Sequence, residues 1–536
     1  MKRAFPPFLL GLFLLACAGE DPRIDSIHPR IGRMGEILAL QGNHFGDERG
    51  ESYVTIAGIS PTASSYLSWS DKLIVFRTPE FGESGLVYVH REGRKSNAAL
   101  FANEAAIPEP VTGDDSGLEP RITALEPASG SVGSLVTIRG QNFGSAKGGK
   151  VYFAWSAEAS SAAPAGTVPS RVEVSEGDFG YESWSERELR VRVPDGAISG
   201  NVEVHTQRGA SRPLYFEVNG RPGSKSYRDK RTYTITWSVD VRAEEASAPN
   251  NLYLWLPQPA GSAAQRPGEL LHRSEEPFIE NYQGLSLFKF NNLRANSGVS
   301  VSLERLVGVY SVETALRPQD IRRGGGGALE AAYTRSDPLI PQDDPALKAR
   351  SSAITGREQN PYHRARLIYE WMIGNLEITP ENREGGVAEA LAEGKAGPWQ
   401  AALLFCGLVR AAGVPALPLS GVLVDRNRET LRHFWAEFWI QGFGWVPVDV
   451  VLGAGAAPPG FNLNPEHESW YFGNMDNQRI TFSRGVIPLS RMEDRSRTVS
   501  REREYSLQSI WEEAAGGIES YSSLWGDVTI TGVYVE

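Results

Sequence analysis

Two side chains whose spacing suits acid–base chemistry, His433 and Asp449, lie in a segment dense in aromatics. The run Arg432-His433-Phe434-Trp435-Ala436-Glu437-Phe438-Trp439-Ile440 reads as a strand, Gln441 to Gly444 as a Gly-containing turn, and Trp445-Val446-Pro447-Val448-Asp449 as a second strand. With the hairpin centred on Gln441, His433 and Asp449 lie directly opposite each other, eight positions either side of the centre. Such partners hold their Cβ atoms about 5 Å apart. An imidazole beside a carboxylate is what orients a histidine for proton transfer. Pro447 cannot donate to a ladder, so the second strand is expected at a sheet edge or bulged, which would shift this register.

Upstream of this pair the hydrophobic period changes. Ala365, Ile368, Tyr369 and Met372 recur at helical spacing, which predicts an amphipathic helix over about Tyr362 to Asn375. A second helix is predicted from Pro398 to Ala412: Pro398 suits a first helical position, and Gly413 followed by Pro415 is a stop. That helix is apolar nearly all round (AALLFCGLV) and should be the buried centre of its domain. It carries Cys406, one of only 2 cysteines. Cys406 shares a stripe with Ala402 and Val409, so it is read as a core thiol, and a disulfide with Cys17 is not expected.

The order of helix, then H-x-W-x-E (His433 to Glu437), then G-W-x-P-x-D (Gly444 to Asp449) resembles the bacterial transglutaminase-like family, a papain-type Cys-His-Asp fold. Arg410-Ala411-Ala412-Gly413-Val414-Pro415 and Trp470-Tyr471-Phe472-Gly473-Asn474 match it too, and Trp255 to Pro259 resembles the β domain that often precedes this core. The resemblance covers about Tyr227 to Leu489 and implies that His433 and Asp449 stand at the family's catalytic His and Asp. The family's nucleophile lies twelve residues before the Arg of this motif, which here is Pro398. A thiol is needed there because a helix N-terminus and a nearby His lower its pKa. Proline has no nucleophilic atom, no Ser or Thr occupies 396–400, and Cys406 lies about 12 Å further along the helix and about 80° round it. The resemblance therefore implies a domain that has lost catalysis and acts as a binding module, with Trp399 and Trp435 as candidate ligand contacts. The alternatives are an active amidase, protease or acyl transferase using a non-Cys group or a His-activated water, and a structural adhesin.

An internal repeat precedes this half. Pro22-Arg23-Ile24 matches Pro120-Arg121-Ile122 and Gly42 to Gly46 matches Gly140 to Gly144, offset by 98 positions; Trp69-Ser70 matches Trp184-Ser185 and Val89-His90 matches Val204-His205, offset by 115. The second copy thus holds 17 extra residues, expected as a lengthened loop around Ser156 to Ser170. Short alternating strands between Gly and Pro turns predict a β-sandwich in each copy. The pattern P-x-I-x-x-x-x-P followed by G-x-N-F-G resembles the IPT/TIG family of immunoglobulin-like domains, which implies binding or spacer modules without chemistry. His90 and His205 are expected as one repeated fold position.

Met1 to Cys17 reads as a secretory signal, with Lys2 and Arg3 ahead of a 13-residue apolar stretch too short to span a bilayer. Leu14-Leu15-Ala16-Cys17 resembles a lipobox, which implies an exported bacterial lipoprotein held in a membrane by acyl chains such as palmitate on Cys17. The alternative is an ordinary signal cleaved near Ala16. A net charge of −11 over 536 residues gives no footing for nucleic-acid binding. No HExxH or CxxC spacing is present, so no metal and no cofactor are expected; a protein, peptide or cell-wall ligand is.

The expected fold class is multi-domain: signal 1–16, lipidated N-terminus 17–21, Ig-like β-sandwiches at 22–104 and 120–219 joined by a linker at 105–119, a further β domain at 226–320, an α+β transglutaminase-like core at 337–490, and a C-terminal helix (Tyr505 to Tyr521) and strand within 491–536. A Gly324 to Gly327 joint closes the β domain.

Overall fold

A computed structural model describes residues 20–79, 85–103, 119–144, 149–157, 170–220, 222–321, 327–493 and 495–535. The signal segment with Cys17, nearly all of the linker, residues 158–169 of the expected insertion and Gly324 to Gly326 lie outside the described residues. Among the described residues no helix is long and apolar enough to cross a membrane.

The repeat folds as two β-sandwiches with matching strands. In the first copy Arg23–His28, Ile37–Asn43, Leu73–Arg77 and Tyr66–Trp69 make one sheet; Arg121–Glu126, Leu135–Gln141, Glu188–Arg192 and Tyr181–Trp184 repeat it in the same order. The correspondence reaches single bonds. The Tyr66 hydroxyl accepts from Val54 N–H at 2.7 Å and Tyr181 from Val151 N–H at 2.9 Å. Gly42 and Gly140 are required by contact: a Cβ there would lie 1.9 Å from the Arg23 carbonyl oxygen and 2.1 Å from that of Arg121. His90 packs on Tyr53 and His205 on Tyr152, the same fold position. The inserted residues carry one added strand, Arg171–Glu173, which pairs with Lys150–Ala154.

Strand β1 (Gly223–Pro257) runs the length of the next domain and pairs antiparallel with β2 (Gly298–Leu316). The α+β core follows. Helices α1 (Ala328–Tyr333), α2 (Pro345–Thr355), α3 (Pro361–Asn375), α4 (Val387–Glu393) and α5 (Pro398–Ala411) precede a four-stranded antiparallel sheet. Its strands are β3 (Ala416–Val424), β4 (Thr430–Ile440), β5 (Gly444–Val448) and, after the short helix α6 (Val450–Gly453), β6 (Arg479–Arg484), in the order β5-β4-β3-β6. Every residue from Pro398 to Arg410 is buried, as a helix apolar on all sides requires.

Alternation on β4 divides the sheet between two cores. Phe434, Ala436, Phe438 and Ile440 pack with α5. Trp435 and Trp439, with Trp445 of β5, face away and share a core with the second Ig-like domain. The contact is specific. Trp445 Nε1 donates to Asp178 Oδ1 at 3.0 Å, Tyr333 donates its hydroxyl proton to the Gly177 carbonyl at 2.7 Å, and Arg484 bridges Glu437 at 2.9 Å and Asp178 at 3.5 Å.

The C-terminal segment corrects the sequence reading. No helix forms over Tyr505 to Tyr521; instead β7 (Glu512–Trp525) and β8 (Thr529–Val535) both pair with β1 and return the chain to the β domain. Glu512-Glu513-Ala514-Ala515 has good local helix propensity, but the unpaired edges of β1 offer backbone partners to a strand. Both glutamates are buried, 1% and 0% exposed, and both are hydrogen-bonded. Glu512 accepts from Trp525 Nε1, the Ser523 hydroxyl and Arg501, and Glu513 from the backbone N–H groups of Met492 and Glu493.

Candidate functional site

Strand β4 positions His433 and the end of β5 positions Asp449. The turn between them spans three residues, Gln441 to Phe443, with Gly442 at φ 84°. The hairpin is therefore centred on Gly442, not Gln441: Ala436 pairs with Val448 and Trp439 with Trp445. His433 and Asp449 are consequently not direct cross-strand partners. A three-residue turn with a left-handed glycine moves the centre by one position. Strand β5 stops at Val448, as the edge strand that Pro447 requires, and Asp449 caps α6, its Oδ1 accepting from Leu452 N–H at 3.0 Å.

From that cap the carboxylate reaches His433 diagonally. His433 Nε2 lies 2.8 Å from Asp449 Oδ2, and Arg479 Nη1 donates to the same oxygen at 2.9 Å. Arg479 Nη2 pairs with Asp476 at 2.7 Å. With Nε2 committed to the carboxylate, Nδ1 is the ring atom left for proton transfer. His433 and Asp449 are 1% and 0% exposed. Burial pushes the Asp449 carboxyl up, but His433, Arg479 and the Leu452 N–H outweigh it and hold it at about 2. Burial likewise works against the Arg479 guanidinium, and its two carboxylates reverse the effect, raising it.

The start of α5 is filled. Pro398 is the first helical residue and is buried. Gly397 N–H donates to Gln400 Oε1 at 3.2 Å and Trp399 N–H to Asn382 Oδ1 at 3.1 Å. A Cβ on Gly397 would lie 2.3 Å from the Glu381 carbonyl oxygen, so the chain at 381–383 sits directly on the helix start. Cys406, the one cysteine among the described residues, is fully buried, and burial pushes its thiol up to about 12.

The two tryptophans expected as candidate ligand contacts are both buried. Trp399 is 4% and Trp435 2% exposed, and they belong to different cores. Trp399 lies beneath the Arg503 guanidinium at 4.9 Å. Trp435 stacks near His433, ring centroids 6.1 Å apart, and the Arg479 guanidinium lies 4.9 Å from its ring centroid. The side chains that the sequence reading left without a role are Arg479 and Asp476. They stand 30 and 27 positions from Asp449, respectively, on a later loop and strand, and no spacing pattern marks them. Glu437 carried a signal, as the last residue of H-x-W-x-E, and it holds Arg484.

The transglutaminase-like superfamily model matches residues 348–450, which include Pro398, His433 and Asp449, and the IPT/TIG domain model matches residues 22–102 and 120–218. An uncharacterized protein of Haemophilus influenzae is 30% identical over 143 residues, 22% of this chain, and the match spans 38% of that relative's length. Among solved structures, a candidate cysteine protease from Cytophaga hutchinsonii is 16% identical, covering 58% of this chain and 91% of its own, with a TM-score of 0.35. The periplasmic domain of TgpA from Pseudomonas aeruginosa is 14% identical, covering 43% and 91%, with a TM-score of 0.24. The chain carries two IPT/TIG domains followed by a transglutaminase-like domain.

Proposed function

We propose that this chain is a lipid-anchored bacterial envelope protein whose transglutaminase-like domain has lost catalysis and serves as a module for binding a peptide, protein or cell-envelope ligand. The observation that carries the reading is Pro398, buried at the first position of α5. The family chemistry needs a thiol there, activated by the helix N-terminus and a histidine, and proline supplies neither a nucleophile nor an N–H. The closed surroundings support the same conclusion: His433 and Asp449 are sealed from solvent, and the N–H groups of Gly397 and Trp399 are already bonded. Cys406 is no substitute, being buried in an apolar helix with its thiol pushed up. Anchorage rests on the lipobox-like Leu14 to Cys17 alone.

A second reading, an amidase, protease or acyl transferase with a non-Cys mechanism, is favoured by one observation: the imidazole and carboxylate remain bonded at 2.8 Å. One pair of assays separates them. Release of ammonia from glutamine peptides and cleavage of casein are measured with the wild type and His433→Ala. No turnover above buffer in either is expected. Turnover that His433→Ala abolishes would overturn the binding-module reading.

A further inference from the structure

A cavity of about 1140 Å³ lies between the two Ig-like domains, the β domain and the core. Neither His433 nor Asp449 lines it, although Arg479 and Trp435, which touch them, stand in its wall. Most of its charged groups are tied up in pairs, among them Lys225 with Asp195, Arg410 with Asp337 and Arg479 with Asp476. Four of its arginines are not. Arg49, Arg266, Arg305 and Arg335 line the cavity, and none forms an ion pair with a carboxylate among the described residues.

The direct hydrogen bonds of these four go to backbone carbonyls and not to carboxylates. Arg266 lies over Trp155 at 4.2 Å and donates Nη1 to the Arg171 carbonyl at 2.7 Å, while its Nε and Nη2 meet no protein acceptor. Arg305 donates to the Gly268 carbonyl at 3.0 Å, and its Nε is likewise unmatched. Arg49 donates to the Ser52 carbonyl, and Arg335 to that of Ala63. Burial, then the charges of Arg49 and Arg410, lower the Arg335 guanidinium to about 10, and the nearby Asp337, already paired with Arg410, only partly offsets them. A partly buried guanidinium with free N–H groups is matched best by a carboxylate, which accepts from its fork in two parallel bonds. The four cations sit on three units of the molecule: Arg49 on the first Ig-like domain, Arg266 and Arg305 on the β domain, Arg335 at the entry to the core. One small anion cannot answer all of them, and the volume exceeds what one would fill.

We infer that this interdomain cavity binds an acidic peptide segment, whose carboxylates are received by Arg49, Arg266, Arg305 and Arg335. The inference rests on the binding-module reading for the kind of ligand. Its site is the domain junction rather than the family's catalytic cleft.

The test is titration of the full soluble chain with pentaglutamate, pentaglutamine and glutarate, followed by calorimetry at physiological salt. Pentaglutamate is expected to bind, with pentaglutamine and glutarate each at least about tenfold weaker. Arg266→Gln and Arg335→Gln are each expected to weaken pentaglutamate by about tenfold, the loss of one charge-assisted contact. Thermal unfolding checks that each variant is folded, and if Arg335→Gln is not, Arg266→Gln decides alone. No binding of pentaglutamate, equal binding by folded variants, or equal binding of glutarate would each overturn the inference. These outcomes leave the binding-module reading standing, whereas His433-dependent turnover would overturn that reading and leave pentaglutamate binding untouched.

Discussion

The dyad and the interdomain cavity are both rich in charge, and they handle it in opposite ways. Around Asp449 every charge has a partner: the carboxylate meets His433, Arg479 and the Leu452 N–H, and Arg479 meets Asp476 in turn. His433 and Asp449 are closed to solvent, and only the outer pair, Arg479 with Asp476, reaches the cavity wall. At the cavity, four arginines line open volume and none is in an ion pair with a carboxylate among the described residues. Charges buried in a low dielectric have to be compensated, because desolvating an ion is expensive unless partners replace its water. A complete network in a sealed place holds the fold together. An incomplete one beside open volume is where a ligand can supply the missing charge.

That contrast breaks most visibly at Asp449. Asp449→Ala leaves Arg479 and His433 buried with one partner fewer and removes the cap of α6, so chemical denaturation should show a loss of about 3–5 kcal/mol. A loss below about 1 kcal/mol would mean that the network is not structural. Acid gives the next largest effect. The folded Asp449 carboxyl lies at about 2, below its ordinary value of 3.8. A depressed carboxylate contributes stability above its unfolded pKa that is lost as pH falls through the folded one. The difference is about 2 kcal/mol, disappearing between about pH 4 and pH 2. Denaturant midpoints should fall over that window for the wild type, with a shallower fall in Asp449→Asn. The smallest effect belongs to the cavity. Arg266→Met keeps the contact over Trp155 but removes a charge that has no counter-ion, so stability should stay level or rise by up to about 1 kcal/mol. A loss of 2 kcal/mol or more by the same denaturation assay would show that Arg266 has a structural role and that the two sites are not opposites.

The two IPT/TIG copies show how far local sequence reaches. Their short strands and the matching Gly42 and Gly140 were legible in the repeat offset, because each is carried by residues close in the chain. What the copies touch could not. Asp178 and Gly177 of the second copy receive Trp445, Arg484 and Tyr333 of the core, through contacts that span well over a hundred positions. The misread C-terminal segment has the same cause. Glu512-Glu513-Ala514-Ala515 carries a helical preference of a few tenths of a kcal/mol per residue, and the open edge of β1 outweighs it.

From sequence alone come the two IPT/TIG domains ahead of a transglutaminase-like one, the helices expected at about 362–375 and 398–412, and the hairpin. These rest on periodicity, turn residues and motif spacing, which neighbouring residues carry by themselves. Only the tertiary structure decided that the hairpin turns on Gly442, that Arg479 and Asp476 complete the charge network at Asp449, that Trp399 and Trp435 fall in separate cores, and that four arginines outside any ion pair line one interdomain cavity. Each of these depends on which distant groups share a low-dielectric space. Burial and charge compensation are properties of that space and not of any stretch of chain.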